Sequence, residues 1–442
     1  MMIGNVIAST PSKPYQNYVI ITLMIGYLFA FLDRTMIGLM VAPIQADLDI
    51  SDTRMSLLMG LAFTILYSIA GVPMGLIADR WNRVRIIKYG AVIWCIMTAA
   101  CGFSASYWQL FFARIFVGLG EATLMPSANS LISDYFKPHE RAKALSIFNL
   151  GIAGGAGLSL ILGGQLIAML TASGGVKLGV PIIDDLAPWQ VIFVFLGLSG
   201  LLFVAMMSGV KEPARTGRMS ADAQWTIPQT LAFFRQNVKF YAAICATMTM
   251  LSIVTFGALA WMPTFFIRVH NWTPADAGLY FGLASLASSI AGMIFSGWWI
   301  DRRRARGEAD AAWRALLLGI AVFVPCYVAA PLFGTPWMTI AVLFIGVFGA
   351  SVATIASPTI LMTGTPNEAR GTAVALIYLI INLLGSGFGP TIVALLNDYV
   401  FQDKNAIGLS IAIASLFGYV GGVAAAWWGL QHYRTRLAEI AE

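Results

Sequence analysis

Twelve stretches of about 18–25 mostly apolar residues recur along this 442-residue chain, and each is long enough to cross a bilayer as a helix. They fall near 18–41, 55–78, 86–104, 107–132, 142–170, 189–209, 239–267, 276–300, 314–333, 337–362, 372–396 and 406–430. A large soluble core does not account for them. Only 11% of the residues are charged, against about 25% in a soluble domain, and a soluble chain this long would still need polar residues to cover its surface. The pattern predicts an all-α membrane protein with twelve transmembrane helices. No cleavable signal precedes the first run, which begins near Tyr18 and is itself long enough to span.

An even number of spans puts both termini on one side. The two tails and the loops after spans 2, 4, 6, 8 and 10 carry 21 of the 27 lysines and arginines, while the opposite loops carry four: Arg54, Lys177, Arg268 and Lys404. The positive-inside rule therefore predicts cytoplasmic termini. The compact loops suit a multi-pass protein of a cell inner membrane. The net charge of +6 is then an orientation signal, and nucleic acid falls away as a partner. The longest polar segment, 211–238, predicts a cytoplasmic linker between an N-terminal six-helix bundle (1–210) and a C-terminal one (239–442). Its "WTIPQTLAFF" portion suits either an amphipathic surface helix or a plain linker.

The halves echo each other. "GLIADR" (75–80) follows span 2 and "GWWIDR" (297–302) follows span 8; "PHERAKA" (138–144) precedes span 5 and "PNEARGTA" (366–373) precedes span 11. Glycine-dense helices follow the second pair, with "GIAGGAG" at 151–157 and "GSGFG" at 385–389. Two parallel six-helix repeats are a transporter architecture. The small residues, including the Ser288/Gly292/Ser296 ladder, suit helix packing better than ligand binding.

Four charges fall clearly inside spans: Asp33, Arg34, Arg114 and Glu121, all in spans 1 and 4. Each costs a few kcal/mol at a bilayer centre. The helical rise places Asp33 about 22 Å up its span and Arg114 about 10 Å below the outer end of span 4, so the two reach similar depth. Glu121, two turns from Arg114 on the same face, sits about 10 Å deeper. This arithmetic offers Arg114 two carboxylates, one beside it and one beneath. Burial favours the neutral carboxyl and an adjacent arginine favours the carboxylate, so either acid can titrate as its access and pairing change. The expectation is that Arg114 receives an anionic substrate group while Asp33 and Glu121 exchange protons. Arg34 points about 100° away from Asp33 around the helix and either helps the site or snorkels. A buried cluster that only fixes packing is the competing reading. Spans 7 and 10, "TMTMLSIVTFGALAWM" and "GVFGASVATIASPTILM", carry no clear charge. With Asn382 of span 11 they suit the apolar part of an amphiphile.

The twelve spans, "GLIADRWNR" (75–83) and its partial copy "DRRRAR" (301–306) resemble the major facilitator superfamily over essentially the whole chain. The resemblance implies two six-helix repeats, spans 1, 4, 7 and 10 around a central cavity, and alternating access by a monomer. It identifies Gly75, Asp79, Arg80 and Arg83 with the superfamily's cytoplasmic gate motif. In that motif Gly75 permits close helix approach, and Asp79 can accept bonds from a helix end or an arginine. Within the superfamily, "GEA" (120–122) and "LSIFNLGIAGGAGLS" (145–159) look like the spinster family. That likeness implies a proton-coupled carrier of lysophospholipids or sphingoid lipids, with Asp33, Arg114 and Glu121 in its polar network. "PHERA" and the Asp-Arg element also resemble the anion:cation symporters for sugar acids and other organic anions, the alternative reading.

An enzyme is not expected. His139, His270 and His432 lie in loops on both sides of the membrane and cannot gather at one metal. No GxxxxGK[ST] loop is present, and no serine–histidine pairing offers a nucleophile with its base. Cys95, Cys101, Cys245 and Cys326 lie in apolar runs without a CxxC pair and read as small buried hydrophobes. No metal or other cofactor is expected. A channel would not require the duplication.

Overall fold

The computed structural model describes residues 12–78, 80–175, 184–215 and 227–441, so Asp79 of the expected gate motif lies outside the described residues. Every regular element among them is helical. Twelve helices are long and apolar enough to span: Lys13–Leu39, Asp52–Gly71, Arg83–Gly102, Tyr107–Tyr135, His139–Ala172, Pro188–Ser208, Val238–His270, Pro274–Arg304, Ala311–Leu332, Pro336–Gly364, Ala373–Phe401 and Lys404–Ile440, here spans 1 to 12. Span 2 continues as helix to Ala78.

Several helices outrun the apolar windows because their ends need no apolar residue to stay helical. Pro188 and Pro336 begin theirs at a first-turn position, where the missing N–H costs nothing. Ser106 caps span 4 by accepting from the Gln109 N–H. Span 12 runs on through "QHYRTRLAEIA", in which Gln, Arg, Leu, Ala and Glu are good helix formers.

The chain divides into two compact units, residues 1–218 with 272–282, and 219–271 with 283–442. In the first, spans 1 and 5 interlock through small residues at four-residue steps. Cβ atoms added at Gly151 and Gly155 would lie 2.6 Å from the Met24 and Leu28 carbonyl oxygens. One step on, Ser159 Oγ donates to the Leu32 carbonyl at 2.8 Å. In the second unit Ser296 Oγ bonds the Val352 carbonyl at 3.0 Å, Ser288 bonds Phe344, and Gly292 rests on Phe348 between them. These stripes are packing seams, in which small side chains let backbones approach.

The repeat is visible in contacts as well as in motifs. Gly90 and Gly120 cross so closely that a Cβ on either would stand 2.7 Å from the other's carbonyl oxygen; Gly319 and Gly349, each 229 positions on, repeat the crossing at 2.8 Å. At the same offset, Arg141 donates to the Phe136 carbonyl and Arg370 to the Thr365 carbonyl, both at 3.1 Å. Each closes the turn after its preceding span. Carried forward by 229, Arg114 and Glu121 become Leu343 and Ala350. The second copy keeps the frame and lacks the charges.

In the linker region, Ile227–Gln236 forms a helix. It packs within its own unit: the Phe234 ring lies 4.2 Å from that of Tyr241, and the Arg436 guanidinium sits 4.8 Å over Phe233.

Candidate functional site

Span 1 is held in register by the Ser159–Leu32 bond immediately before Asp33 and Arg34. Span 4 loosens just beyond Glu121, its helix ending there and resuming at Leu124. Pro126 has no N–H to offer the Ala122 carbonyl, and Thr123 Oγ1 turns back to the Gly120 carbonyl at 2.8 Å. The four intramembrane charges thus stand where one helix is locked to a neighbour and another is interrupted.

They form two ion pairs. Arg114 Nη1 donates to Asp33 Oδ1 at 3.1 Å. Thr98 Oγ1, from span 3, donates to Asp33 Oδ2 at 3.3 Å, and Arg114 Nε reaches the Leu58 carbonyl at 3.5 Å. Arg34 donates from both Nη2 (2.8 Å) and Nε (3.2 Å) to Glu121 Oε2. The depth arithmetic therefore brings Asp33 to Arg114, as expected. It does not bring Glu121 to Arg114: the partner of Glu121 is Arg34.

Burial distinguishes the pairs. The Arg114 side chain is 0% exposed and the Glu121 side chain 1%, whereas Arg34 keeps 16% of its side-chain surface accessible. Of the two arginines, only Arg34 has a face an incoming group can touch. Its guanidinium carbon lies over three rings, 4.1 Å from the Phe63 centroid, 4.5 Å from Tyr67 and 5.1 Å from Phe31. Phe63 also lies 5.7 Å from the Arg114 guanidinium. Among the described residues, Arg114 Nη2 and Glu121 Oε1 have no hydrogen-bond partner.

The residues expected at the gate divide differently. Arg83 is buried and ties three segments of the first unit. Its Nε donates to Glu212 Oε1 at 2.7 Å, its Nη1 to Ser130 Oγ at 2.9 Å and to Asp134, and its Nη2 to the Pro213 carbonyl at 3.4 Å. Glu212 Oε2 also accepts from the Val84 N–H at 3.1 Å, and Arg215 reaches the Ala78 and Trp81 carbonyls. Arg80 is exposed. Gly75 does not sit at a close approach within its own unit, since a Cβ there would meet nothing nearer than Pro126 Cβ at 4.0 Å. Sequence reasoning missed Glu212 and Asp134. The available signal was an acid at the end of span 4 and another just past span 6, opposite a surplus of arginine.

The family model described as Major Facilitator Superfamily matches residues 23–390. The chain is 26% identical over 423 residues to an MFS-type efflux pump of Mycolicibacterium smegmatis, covering 93% of this chain and 92% of that protein. It is 26% identical over 447 residues to protein spinster homolog 1 of Mus musculus, covering 93% of this chain and 80% of that one. Among solved structures, a bacterial homolog of the human lysosomal transporter spinster, inward-facing and unoccupied, aligns over 97% of this chain and 99% of its own. The TM-score is 0.79 and the identity 26%.

Proposed function

The chain belongs to the major facilitator superfamily, and on that premise we propose that it is a proton-coupled secondary transporter that carries an anionic, lipid-like amphiphile by alternating access. Family and fold indicate a transporter rather than an enzyme, and the chain resembles the spinster transporters. Substrate class, coupling ion and residue roles are our reading of the site.

The observation that carries the reading is the Arg34–Glu121 pair. A carboxylate with 1% of its side chain exposed holds, through both donors of one guanidinium edge, the arginine that retains an accessible face. Protonation of Glu121 removes the charge that holds that edge, and an anionic headgroup can then accept the same two N–H bonds. Deprotonation restores the internal pair and expels the headgroup. Arg114, fully enclosed and engaged by Asp33, holds the neighbouring carboxylate in place; Arg34, in our reading, meets the substrate. Asp33 and Glu121 remain the titrating candidates, with Glu121 the one that controls Arg34.

An amphiphile suits the second unit, in which "TMTMLSIVTFGALAWM" of span 7 and "GVFGASVATIASPTILM" of span 10 carry no charge. Ion pairs of that unit lie near span ends, among them Arg303–Glu308, Arg314–Asp310 and Arg436–Glu439. Gly75, Asp79, Arg80 and Arg83 belong, in this reading, to a cytoplasmic gate region that Arg83 supports from within the first unit. The basic end bearing both termini would face the cytoplasm of an inner membrane, and the carrier would act as a monomer.

The test is flux into proteoliposomes of purified protein under an imposed pH gradient, with lysophosphatidylglycerol and glucuronate as parallel probes. Gradient-driven, saturable movement of the lysolipid supports the reading. Movement of glucuronate alone would favour a small organic anion carrier, and flux indifferent to the gradient would remove proton coupling.

A further inference from the structure

Phe63 and Tyr67 stand one turn apart on span 2, their rings stacked at 5.2 Å with 30° between planes. Both lie under the Arg34 guanidinium, at 4.1 and 4.5 Å. Phe63 is buried and Tyr67 half-buried. The rings and Glu121 hold the same cation by different means. The carboxylate attracts it only while ionised, whereas the ring quadrupole attracts it at every pH. A ring beneath the guanidinium carbon leaves N–H groups for oxygen acceptors, and the Tyr67 side chain adds a hydrogen bond to the same guanidinium.

We infer that Phe63 and Tyr67 are positioning residues, an aromatic shelf that keeps Arg34 at the site while Glu121 is neutral and presents its N–H edge to a carboxylate or phosphate headgroup. The inference rests on the proposed role of Glu121 as the group that releases Arg34. An arginine with neither carboxylate nor shelf would follow its flexible stem toward water, and the anion would lose its first contact. The shelf matters little while Glu121 is ionised, because two charge-assisted hydrogen bonds already fix the guanidinium. Its effect is therefore specific to the protonated state. Phe63 also lies 5.7 Å from the Arg114 guanidinium, so one ring contacts a cation of each pair.

The experiment measures KM and kcat for lysophosphatidylglycerol uptake by the reconstituted full chain at mildly acidic and at alkaline pH. Phe63→Leu should raise KM about tenfold in acid, the scale of one desolvated cation–ring contact. It should change kcat little and raise KM much less in alkali. Phe63→Tyr should recover most of the loss, and Tyr67→Leu should shift KM in the same direction as Phe63→Leu. An equal KM rise at both pH values, a fall in kcat alone, or no change would overturn the shelf. If Phe63→Leu does not fold, the half-buried Tyr67→Leu decides by the same criteria. Glu121→Gln separates the two ideas. If that variant flattens the pH profile while the ring variants leave KM untouched, the shelf fails and the transport reading stands. If it leaves the pH profile intact, the transport reading fails first.

Discussion

Arg34 and Glu121 stand on different helices, yet two nitrogens of the one converge on a single oxygen of the other, at 2.8 and 3.2 Å, inside a membrane-spanning bundle. Arg34 keeps 16% of its side-chain surface accessible, and in the proposed mechanism protonation of Glu121 would make that cation available to a substrate.

Glu121→Gln keeps the shape of the side chain and removes the charge. Gradient-driven uptake of lysophosphatidylglycerol into proteoliposomes should fall at least tenfold, while exchange of labelled for unlabelled probe without a gradient should persist. Retention of full gradient dependence would show that Glu121 does not carry the proton.

Whatever else Asp33 does, its pair with Arg114 should carry stability. Arg114→Met strands a buried Asp33 carboxylate and should cost about 3–5 kcal/mol, whereas the double change Arg114→Met with Asp33→Leu should recover most of it. Thermal unfolding in detergent reads both. A double variant no more stable than the single one would mean that the two groups do not act as a pair.

The sequence makes one of these pairs readable and hides the other. Asp33 and Arg114 could be matched by counting residues up one span and down another, because a helix rises uniformly and the bilayer supplies a common ruler. The same ruler gave twelve spans, shown by the structure with most ends shifted by a few residues and the last by ten, where the helix carries on through polar residues. It says nothing of azimuth. Whether Arg34 points toward span 4 depends on how span 1 is rotated about its axis, and that rotation is set by the Gly151, Gly155 and Ser159 seam with span 5. The Arg83–Glu212 contact was equally hidden, since its partners are 129 residues apart and no periodicity links them.

Arg83→Lys should loosen the basic end of the first unit. A lysine supplies one point charge where the guanidinium fork now serves Glu212, Ser130, Asp134 and the Pro213 carbonyl. We expect a loss of about 2–3 kcal/mol, seen as a lower unfolding temperature, with faster tryptic cleavage after Lys211 and Arg215. Unchanged cleavage would mean that the clamp is redundant.

Asp310 gives a pH dependence of known sign. Burial pushes its carboxyl up, but hydrogen bonds from Arg434 (Nε to Oδ2, 2.6 Å) and from Arg314 outweigh burial and hold it below the ordinary value of 3.8. Because the folded value lies below the unfolded one, the stabilisation is fully present above the unfolded value and is lost as pH falls through the folded value. The gap in unfolding temperature between the native protein and Asp310→Asn should therefore be widest near neutrality and close below pH 3.8. A constant gap would contradict the assignment.

The two glycine crossings separate packing from chemistry by direct substitution. Gly120→Ala and Gly319→Ala each drive a methyl to within 2.8 Å of backbone atoms, whereas Gly297→Ala meets nothing within 4 Å. The first two should cost about 1–3 kcal/mol and the third almost nothing, measured by unfolding temperature.

The matched crossings also bear on how such a protein changes cargo. Leu343 and Ala350 occupy, in the second half, the stations that Arg114 and Glu121 hold in the first, and they do so beside a glycine joint that is already in place. Two copies of one frame, one wired for charge and one left insulating, let selection try new polar residues in the insulating copy while the joint that keeps the helices crossed stays untouched. Diversification then requires neither a new fold nor the loss of the two ion pairs in the first copy, only an edit on a surface the duplication has left uncharged.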